Sequence, residues 1–269
     1  MLQAEGRQIR GLYEKITQLE TQIDILQEAN EVCAVNSKAF QGYENRFRDK
    51  EIVIVGAGPS LNYYTPVKGA VHIGVNTVYR YKKVHLDYLF AHDADRNFDY
   101  EERFRGISQL ECPVFLGRCL RRDWAKDMEF PESYRIHPNI YSYYRDIIPS
   151  KHIYRDICFH PLMDFGSVIF AAIHFALYTY PKKIYLVGCD TDSNGYFFKS
   201  DCIVQKKLPK TRRELWLPGY QRVKKYVELH YPDIEMVSIN PVGLKGLFHD
   251  IYTDNYLREH IAGENKDGK

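Results

Sequence analysis

Polar residues that could bind a ligand follow the apolar segments of the sequence, at the points where these segments end. The clearest example is the turn Gly-Ala-Gly-Pro-Ser at residues 56–60, which follows the β-branched run 52–55. An apolar run that ends at glycines is typical of a buried strand in a parallel sheet. Such a turn would let a phosphate or a sugar lie close to the backbone amides. The sequence therefore predicts nucleotide contacts from Gly56, Gly58, Pro59 and Ser60.

Further apolar segments end in the same way, at residues whose side chains or amides suit a nucleotide. The side chain of Asn76 can donate one hydrogen bond and accept another, as recognition of a base or a ribose requires. Gly166 and Ser167 come just before a long apolar stretch, where a helix start would offer free amides to a phosphate or a carboxylate. Because the carboxyl ends of parallel strands meet at one edge of a sheet, these residues predict a single cleft. The predicted nucleotide-binding residues outside the glycine turn are Asn76, Gly166, Ser167, Gly188 and Asp190.

Two aspartates could hold a metal ion. Asp93 and Asp95 follow the apolar segment 86–91, with one alanine between them. Carboxylates at this spacing can bind Mg²⁺ or Mn²⁺ on a diphosphate, because hard oxygen ligands match a hard cation. Either aspartate could instead bind a sugar hydroxyl or cap a helix. The sequence leaves these alternatives open.

Group transfer also requires a base and a means of neutralising the leaving phosphate. His249, which precedes an aspartate, is one hypothesis for the base, and His92 and Asp93 are the others. Tyr196 lies in the polar, lysine- and arginine-rich segment 191–215, which is typical of a mobile lid that could neutralise a leaving phosphate. A surface histidine and a solvated basic loop are the simpler alternatives.

The order of apolar segments predicts how these residues are positioned. Strands that alternate with helices indicate an α/β fold with a doubly wound, mostly parallel sheet. We expect strands at 52–55, 71–76, 86–91, 112–116, 182–190 and 234–239, and helices at 118–127, 166–180 and 218–231.

The N-terminal segment has a different pattern. Isoleucine and leucine alternate every three and four residues through residues 7–33, and this heptad repeat is typical of a parallel two-stranded coiled coil. A helix that packs on its own domain is the alternative. We expect residues 1–49 to comprise the heptad helix and a linker at 34–49, and residues 50–269 to form the α/β domain. The heptad residues are Ile9, Leu12, Ile16, Leu19, Ile23 and Leu26, with Asn30 at the next a position.

Composition limits the class of protein. The chain has 269 residues, with 37 basic and 35 acidic residues, so no overall field favours nucleic acid as a partner. The six cysteines show no CxxC spacing, which favours reduced thiols over a zinc site or disulfides. No signal-peptide core or long apolar run is present. These observations predict a cytoplasmic protein and leave open a peripheral contact with the inner face of the membrane.

Five segments together resemble a known group of enzymes. Residues 52–62, 74–80, 87–95, 165–192 and 234–248 are similar to bacterial sialyltransferases that use CMP-activated sialic acid. They are equally similar to the motility-associated-factor flagellin glycosyltransferases and to their archaeal hydroxymethylpterin pyrophosphokinase relatives. The resemblance implies a Rossmann-like domain with a lid, and CMP bound at the glycine turn and the other predicted nucleotide-binding residues. In those sialyltransferases a lid histidine is the base, whereas residues 191–215 contain no histidine here.

Three functions are compatible with these observations. The first is a glycosyltransferase that moves a sugar, such as sialic or another nonulosonic acid, from a nucleotide-activated donor to a surface glycan or a protein hydroxyl. This activity would place the chain in lipopolysaccharide or capsule biosynthesis. The second is a Mg²⁺-dependent pyrophosphokinase that acts on a hydroxymethylpterin. The third is a non-catalytic nucleotide-binding module tethered by a coiled coil.

Overall fold

Within the residues that the structure describes, the chain folds around a nine-stranded sheet in which every strand pairing is parallel. The computed structural model describes residues 2–92, 105–119, 132–146, 152–192, 195–197 and 210–260. The sheet and its flanking helices confirm the predicted α/β, Rossmann-like fold. The strands are β1 (Glu51–Val55), β2 (Val71–Val75), β3 (Tyr88–Ala91), β4 (Val114–Cys119), β5 (Ile140–Asp146), β6 (Leu162–Met163), β7 (Lys183–Val187), β8 (Glu235–Ile239) and β9 (His249–Ile251).

The strand order reverses once, in the middle of the sheet. The order is β6-β5-β4-β3-β2-β1-β7-β8-β9, so the chain winds outward from β1 to β6 and then returns to add β7 on the other side of β1. The turns that follow β1 and β7 lie side by side at this point. Ligands of doubly wound sheets bind in the crevice at such a reversal, outside the carboxyl ends of the strands.

The helices differ in how much of their surface is buried. In α3 (Val168–Tyr178), ten of the eleven residues are buried, since apolar side chains occupy nearly its whole circumference. Two 3₁₀ helices follow β1 and β2: Pro59–Tyr63 begins three residues after β1, and Asn76–Arg80 begins directly after β2. The α-helices whose bounds the structure describes are α1 (Leu2–Phe40), α2 (Glu132–Arg135), α3 (Val168–Tyr178), α4 (Lys210–His230) and α5 (Asp254–His260).

The end of α1 belongs to the core of the domain. Phe40 is fully buried, and its ring lies 5.2 Å from that of Phe115 and 5.8 Å from that of Phe175. One turn earlier, the Asn36 side chain donates to the carbonyls of Ile157 and His160. The segment predicted to be a linker is thus helical as far as Phe40, and this part of it packs into the core.

Several elements lie outside the sequence prediction. The strands β5, β6 and β9 were not predicted, and Arg118, expected in a helix, lies in β4. Helix α4 begins at Lys210 and carries Pro218 in its interior, although the proline was expected to mark its start. Within the described residues, no helix is long and apolar enough to cross a membrane.

Candidate functional site

The turns after β1 and β7 are in direct contact at the reversal of strand order. The amide of Gly56 donates to the carbonyl of Val187 at 2.7 Å, and the amide of Gly58 donates to that of Gly188 at 2.8 Å. A Cβ at Gly56 would overlap the carbonyl of Gly188, and a Cβ at Gly58 would lie 2.5 Å from Cγ of Asp190. The glycines are therefore required by the close approach of the two turns.

Asp190 joins the same two turns through its side chain. Its Oδ2 accepts from the Ser60 amide at 2.9 Å, and its Oδ1 accepts from Ser60 Oγ at 2.5 Å. Burial raises the pKa of the Asp190 carboxyl, and the two hydrogen bonds from Ser60 act in the opposite direction. The amides of Gly56, Gly58 and Ser60 thus donate within the protein. An anion could use them only by displacing these bonds.

The start of the predicted lid lies against the glycine turn. The amide of Phe197 donates to the carbonyl of Ala57 at 2.9 Å, and the ring of Phe197 packs edge-on against Tyr81. Tyr196, the predicted phosphate-binding tyrosine, precedes this contact and is half-buried. Residues 193–194 and 198–209 of the predicted lid lie outside the described residues. The structure therefore places Tyr196 beside the cleft that we predicted.

A left-handed residue directly follows three of the strands. Asn76 after β2, Gly188 after β7 and Asn240 after β8 have φ of 49°, 64° and 51°. Asparagine is one of the few residues other than glycine that adopts this conformation readily. The Asn76 Oδ1 accepts from the amide of His92 at 3.2 Å, which joins the ends of β2 and β3. Asn240, in contrast, is fully buried and hydrogen-bonds Thr253, so its role is structural.

The first turn of α3 faces the same edge, since it follows the end of β6. Ser167 is the N-cap, and its Oγ accepts from the amide of Ile169 at 3.4 Å. The amide of Gly166 donates to Asp164 Oδ1 at 2.8 Å, and its carbonyl accepts from Trp216 Nε1 of α4. Gly166 is exposed, and its φ of 80° lies in the left-handed region. The positive end of a buried helix therefore opens onto this edge.

A buried polar cluster, formed by His92, Arg145 and Asp164, lies below this edge. An Arg145 Nη donates to Asp164 Oδ2 at 2.6 Å and lies 3.1 Å from His92 Nδ1. All three side chains are nearly inaccessible to solvent. Gly117 of β4 makes room for them, because a Cβ there would lie 2.6 Å from Cδ2 of His92. The cluster joins the ends of β3, β5 and β6.

The partners of His92 determine its tautomer. A guanidinium can only donate, so His92 Nδ1 must accept, and Nε2 must carry the proton of the neutral ring. Burial and the adjacent Arg145 guanidinium hold the pKa of His92 well below its usual range. Nε2 is buried and has no hydrogen-bond partner within the described residues. In this arrangement His92 is a hydrogen-bond donor rather than a base.

His249 lies away from the other predicted site residues. It is exposed on edge strand β9, and its Nδ1 lies 2.7 Å from Oε1 of Glu235 at the amino end of β8. Asp250, the aspartate that follows it in the sequence, accepts from the amide of Gly246. Because Lys183 at the amino end of β7 also pairs with Glu235, the histidine side chain is held towards the edge opposite the cleft.

The structure thus brings together most of the predicted nucleotide-binding residues at the carboxyl edge of the sheet. His92 lies beneath this edge, and His249 is held away from it. Asp93 and Asp95 lie outside the described residues, so the predicted metal site stays a prediction. Within the described part of the chain, no group of three histidine, cysteine or carboxylate residues could hold a metal ion.

Arg145 and Gly117 were missed by the sequence analysis. Asp164 was not among the predicted site residues either, although its carboxylate binds both the guanidinium and the amide of Gly166. An available signal was an arginine within the aromatic segment 140–146, where apolar residues at Ile140, Tyr143 and Tyr144 are buried. An arginine in a buried strand requires a carboxylate partner, and sequence gives no indication of which one.

No protein-family model matches the sequence, and no curated protein matches it. Among solved structures, a variant of the sialyltransferase CstII in complex with CMP is 16% identical, with a TM-score of 0.44 over 70% of this chain and 80% of that chain. CstII from Campylobacter jejuni with the substrate analogue CMP-3FNeuAc is 15% identical, with a TM-score of 0.43 over 75% and 86% of the respective chains. Similarities of this degree assign no activity to the chain.

Proposed function

We propose that the chain is a glycosyltransferase whose CMP-activated donor binds at the carboxyl edge of the sheet, between β1 and β7. One observation carries the proposal. The two turns at the reversal of strand order are held together by Gly56, Gly58 and the Ser60–Asp190 pair, at the position where doubly wound sheets bind nucleotides. The resemblance of these same segments to the CMP-dependent sialyltransferases supports cytidine as the base.

The residues around these turns suit the parts of such a donor. Asn76, at the end of β2, would contact the ribose or the base. The first turn of α3, with Ser167 as its N-cap, would face the phosphate, because a helix N-terminus favours an anion. The Tyr196 hydroxyl would donate to the leaving phosphate from the start of the lid.

The reaction breaks the bond between the anomeric carbon of the sugar and a phosphate oxygen, and forms one from that carbon to an acceptor hydroxyl oxygen. The acceptor proton must pass to a base, and CMP leaves with the electron pair of the broken bond. His249 is held away from this edge, and His92 is protonated on Nε2. Asp93, which follows His92 in the sequence, is therefore the base in our proposal.

The donor sugar and the acceptor complete the proposal. We assign sialic acid or another nonulosonic acid as the sugar, and a bacterial surface glycan or a protein hydroxyl as the acceptor. Both assignments rest on the resemblance alone. No described residue favours the pterin pyrophosphokinase alternative, which depends on Asp93 and Asp95 as Mg²⁺ ligands.

A thermal-shift panel of CMP, CDP, UDP, GDP and ATP, each with and without Mg²⁺, tests the proposal. We expect CMP and CDP to raise Tm, because a ligand that binds only the folded state stabilises it. Ser60→Ala should weaken this response, whereas His249→Ala, at the other edge, should leave it unchanged. A response to ATP with Mg²⁺ alone would support the pyrophosphokinase and overturn the proposal.

Turnover separates the enzyme from the non-catalytic alternative. Incubation with CMP-sialic acid should release CMP. Release should be slow when water accepts the sugar, and faster when an acceptor hydroxyl is present. Asp93→Asn should retain the thermal response to CMP and lose CMP release. Stabilisation by CMP without any release from several CMP-activated sugars would favour a binding module.

A further inference from the structure

Helix α1 has two apolar faces with different environments. Near its carboxyl end, Val32, Asn36 and Ala39 are buried against the chain's own domain. Towards its amino end, five heptad residues remain between 50% and 63% exposed. These five residues form the seam of the helix: Leu12, Ile16, Leu19, Ile23 and Leu26.

The seam points away from the domain. At 3.6 residues per turn, the direction of the seam differs by roughly 150° around the helix axis from that of Val32, Asn36 and Ala39. The chain's own domain therefore cannot cover the seam while these three residues stay in the core. A row of large aliphatic side chains along one face of a long helix requires a partner helix for burial.

We propose that this partner is the same helix of a second copy, paired in parallel and in register. Isoleucine at a and leucine at d is the combination that favours two parallel strands. Asn30, exposed at the last a position, would meet its own copy across the coil in this arrangement. Lys15 and Glu20 occupy g and the following e position, so each would face the opposite charge of the partner helix.

The pairing has a consequence for the domains. Because α1 continues without interruption from the seam to Asn36 and Phe40 in the core, no flexible linker separates the coil from the sheet. The two domains would be held at the same end of the coil, one on the outer side of each helix. This partnership involves no residue of the proposed nucleotide site, so it can fail or hold independently of the proposed function.

Sedimentation of the full chain tests the pairing. We expect the mass of two chains at micromolar concentration, and a dissociation constant at least a hundredfold higher for Leu19→Asp, because a charge would enter the seam. The matched control is Ile25→Asp, which changes an equally exposed residue of the same helix that lies outside the seam. This control should remain dimeric, and far-ultraviolet circular dichroism should show that both variants are folded.

A monomeric wild type, a mass of three or more chains, or a dimer that survives Leu19→Asp would overturn the proposal. The proposal would also be overturned if the seam were buried only after a different protein is added. Orientation is tested by Leu26→Cys, which in a parallel, in-register coil should form an interchain disulfide on mild oxidation. Ile25→Cys should form no more interchain disulfide than the wild type. An equal yield from both variants would exclude the proposed register.

Discussion

Three glycines and one serine–aspartate pair hold the turns after β1 and β7 together. Gly58 has φ of −68°, a conformation that any residue adopts, so glycine is needed there only because Asp190 occupies the space of a Cβ. Gly188 combines a left-handed φ of 64° with a similar lack of space. At the scale of single residues, the two turns can approach one another only because Gly56, Gly58 and Gly188 have no side chains.

Gly58→Ala should therefore disturb the site. The new methyl group would displace Asp190 from Ser60, and overpacking of this kind costs about 1–3 kcal/mol. We expect that loss in the free energy of unfolding measured with urea, together with a loss of stabilisation by CMP. The control is Gly11→Ala, where a Cβ would meet no other atom; this change in α1 should stabilise the chain by about 0.5–1 kcal/mol. Equal effects of the two changes would contradict our account of Gly58.

His174 gives a prediction about pH. Its Nδ1 accepts from the amide of Met163, its Nε2 donates to the carbonyl of Tyr154, and burial lowers its pKa to about 4. In the unfolded chain, the pKa of His174 has its ordinary value of 6.5. The contribution of the neutral, buried His174 to stability is therefore present above pH 6.5 and is lost as pH falls from 6.5 towards 4. A shift of this size corresponds to about 3 kcal/mol.

Urea unfolding at several pH values between 7 and 4 measures this contribution. His174→Gln keeps one hydrogen-bond acceptor and one donor but does not titrate. The free energy of unfolding of this variant should therefore fall less steeply with decreasing pH than that of the wild type. Contributions from other groups, including His92, are common to both proteins. Parallel curves for the two proteins would show that His174 is not the group responsible.

At the scale of elements, α1 and strand β5 depend on one another. The amide of Tyr144 in β5 donates to Asn36 Oδ1 at 2.8 Å, and the Tyr144 hydroxyl hydrogen-bonds Glu31 of the same helix. Asn36 also holds the carbonyls of Ile157 and His160, so one fully buried side chain satisfies three backbone groups. These bonds fix the helix beside the strand that carries Arg145.

Asn36→Ala should leave these three backbone groups without their partner in the interior. Since an unsatisfied buried polar group costs about 1–3 kcal/mol, we expect the free energy of unfolding to fall by at least about 3 kcal/mol. Lys38→Ala, an exposed change in the same turn, should have almost no effect. If urea unfolding shows a similarly small loss in the free energy of unfolding for both variants, water replaces the Asn36 side chain as the hydrogen-bond partner.

At the scale of the whole molecule, the proposed nucleotide site is assembled from segments that are far apart in the chain. Ser60 and Asp190 are separated by 130 positions, and β1 and β7 are neighbours only because the strand order reverses between them. The opposite edge carries a separate polar network, in which Glu235 contacts both Lys183 and His249. The two edges should therefore respond differently to a ligand.

Hydrogen–deuterium exchange should reveal this difference. We expect CMP to slow amide exchange together in peptides that cover 56–62, 164–170 and 186–192, because these segments surround the proposed site. Peptides that cover 229–236, at the amino end of β8, should exchange at the same rate with and without CMP. Protection of that second region, or of only one of the three segments, would contradict a single cleft at the carboxyl edge.

The fold was largely predictable from the sequence because its central strands are unambiguous. The runs at 52–55 and 184–187 are apolar on both faces and end at glycines, which is typical of the middle of a parallel sheet. The edge strands β6 and β9 are only two and three residues long, too short for any periodic pattern. In β5, aromatic residues and a serine replace the usual aliphatic run, and the strand was missed.

Local pattern by itself determined the glycine turns, the central strands and the heptad stripe, because each depends on a few neighbouring residues. Only the tertiary structure decided which of these residues share an edge of the sheet. The tertiary structure places His249 away from the cleft and pairs Ser60 with Asp190. It also places a guanidinium beside His92, and this guanidinium determines the tautomer of the histidine. Such pairings follow from strand order, and strand order depends on how the whole chain buries its apolar surface.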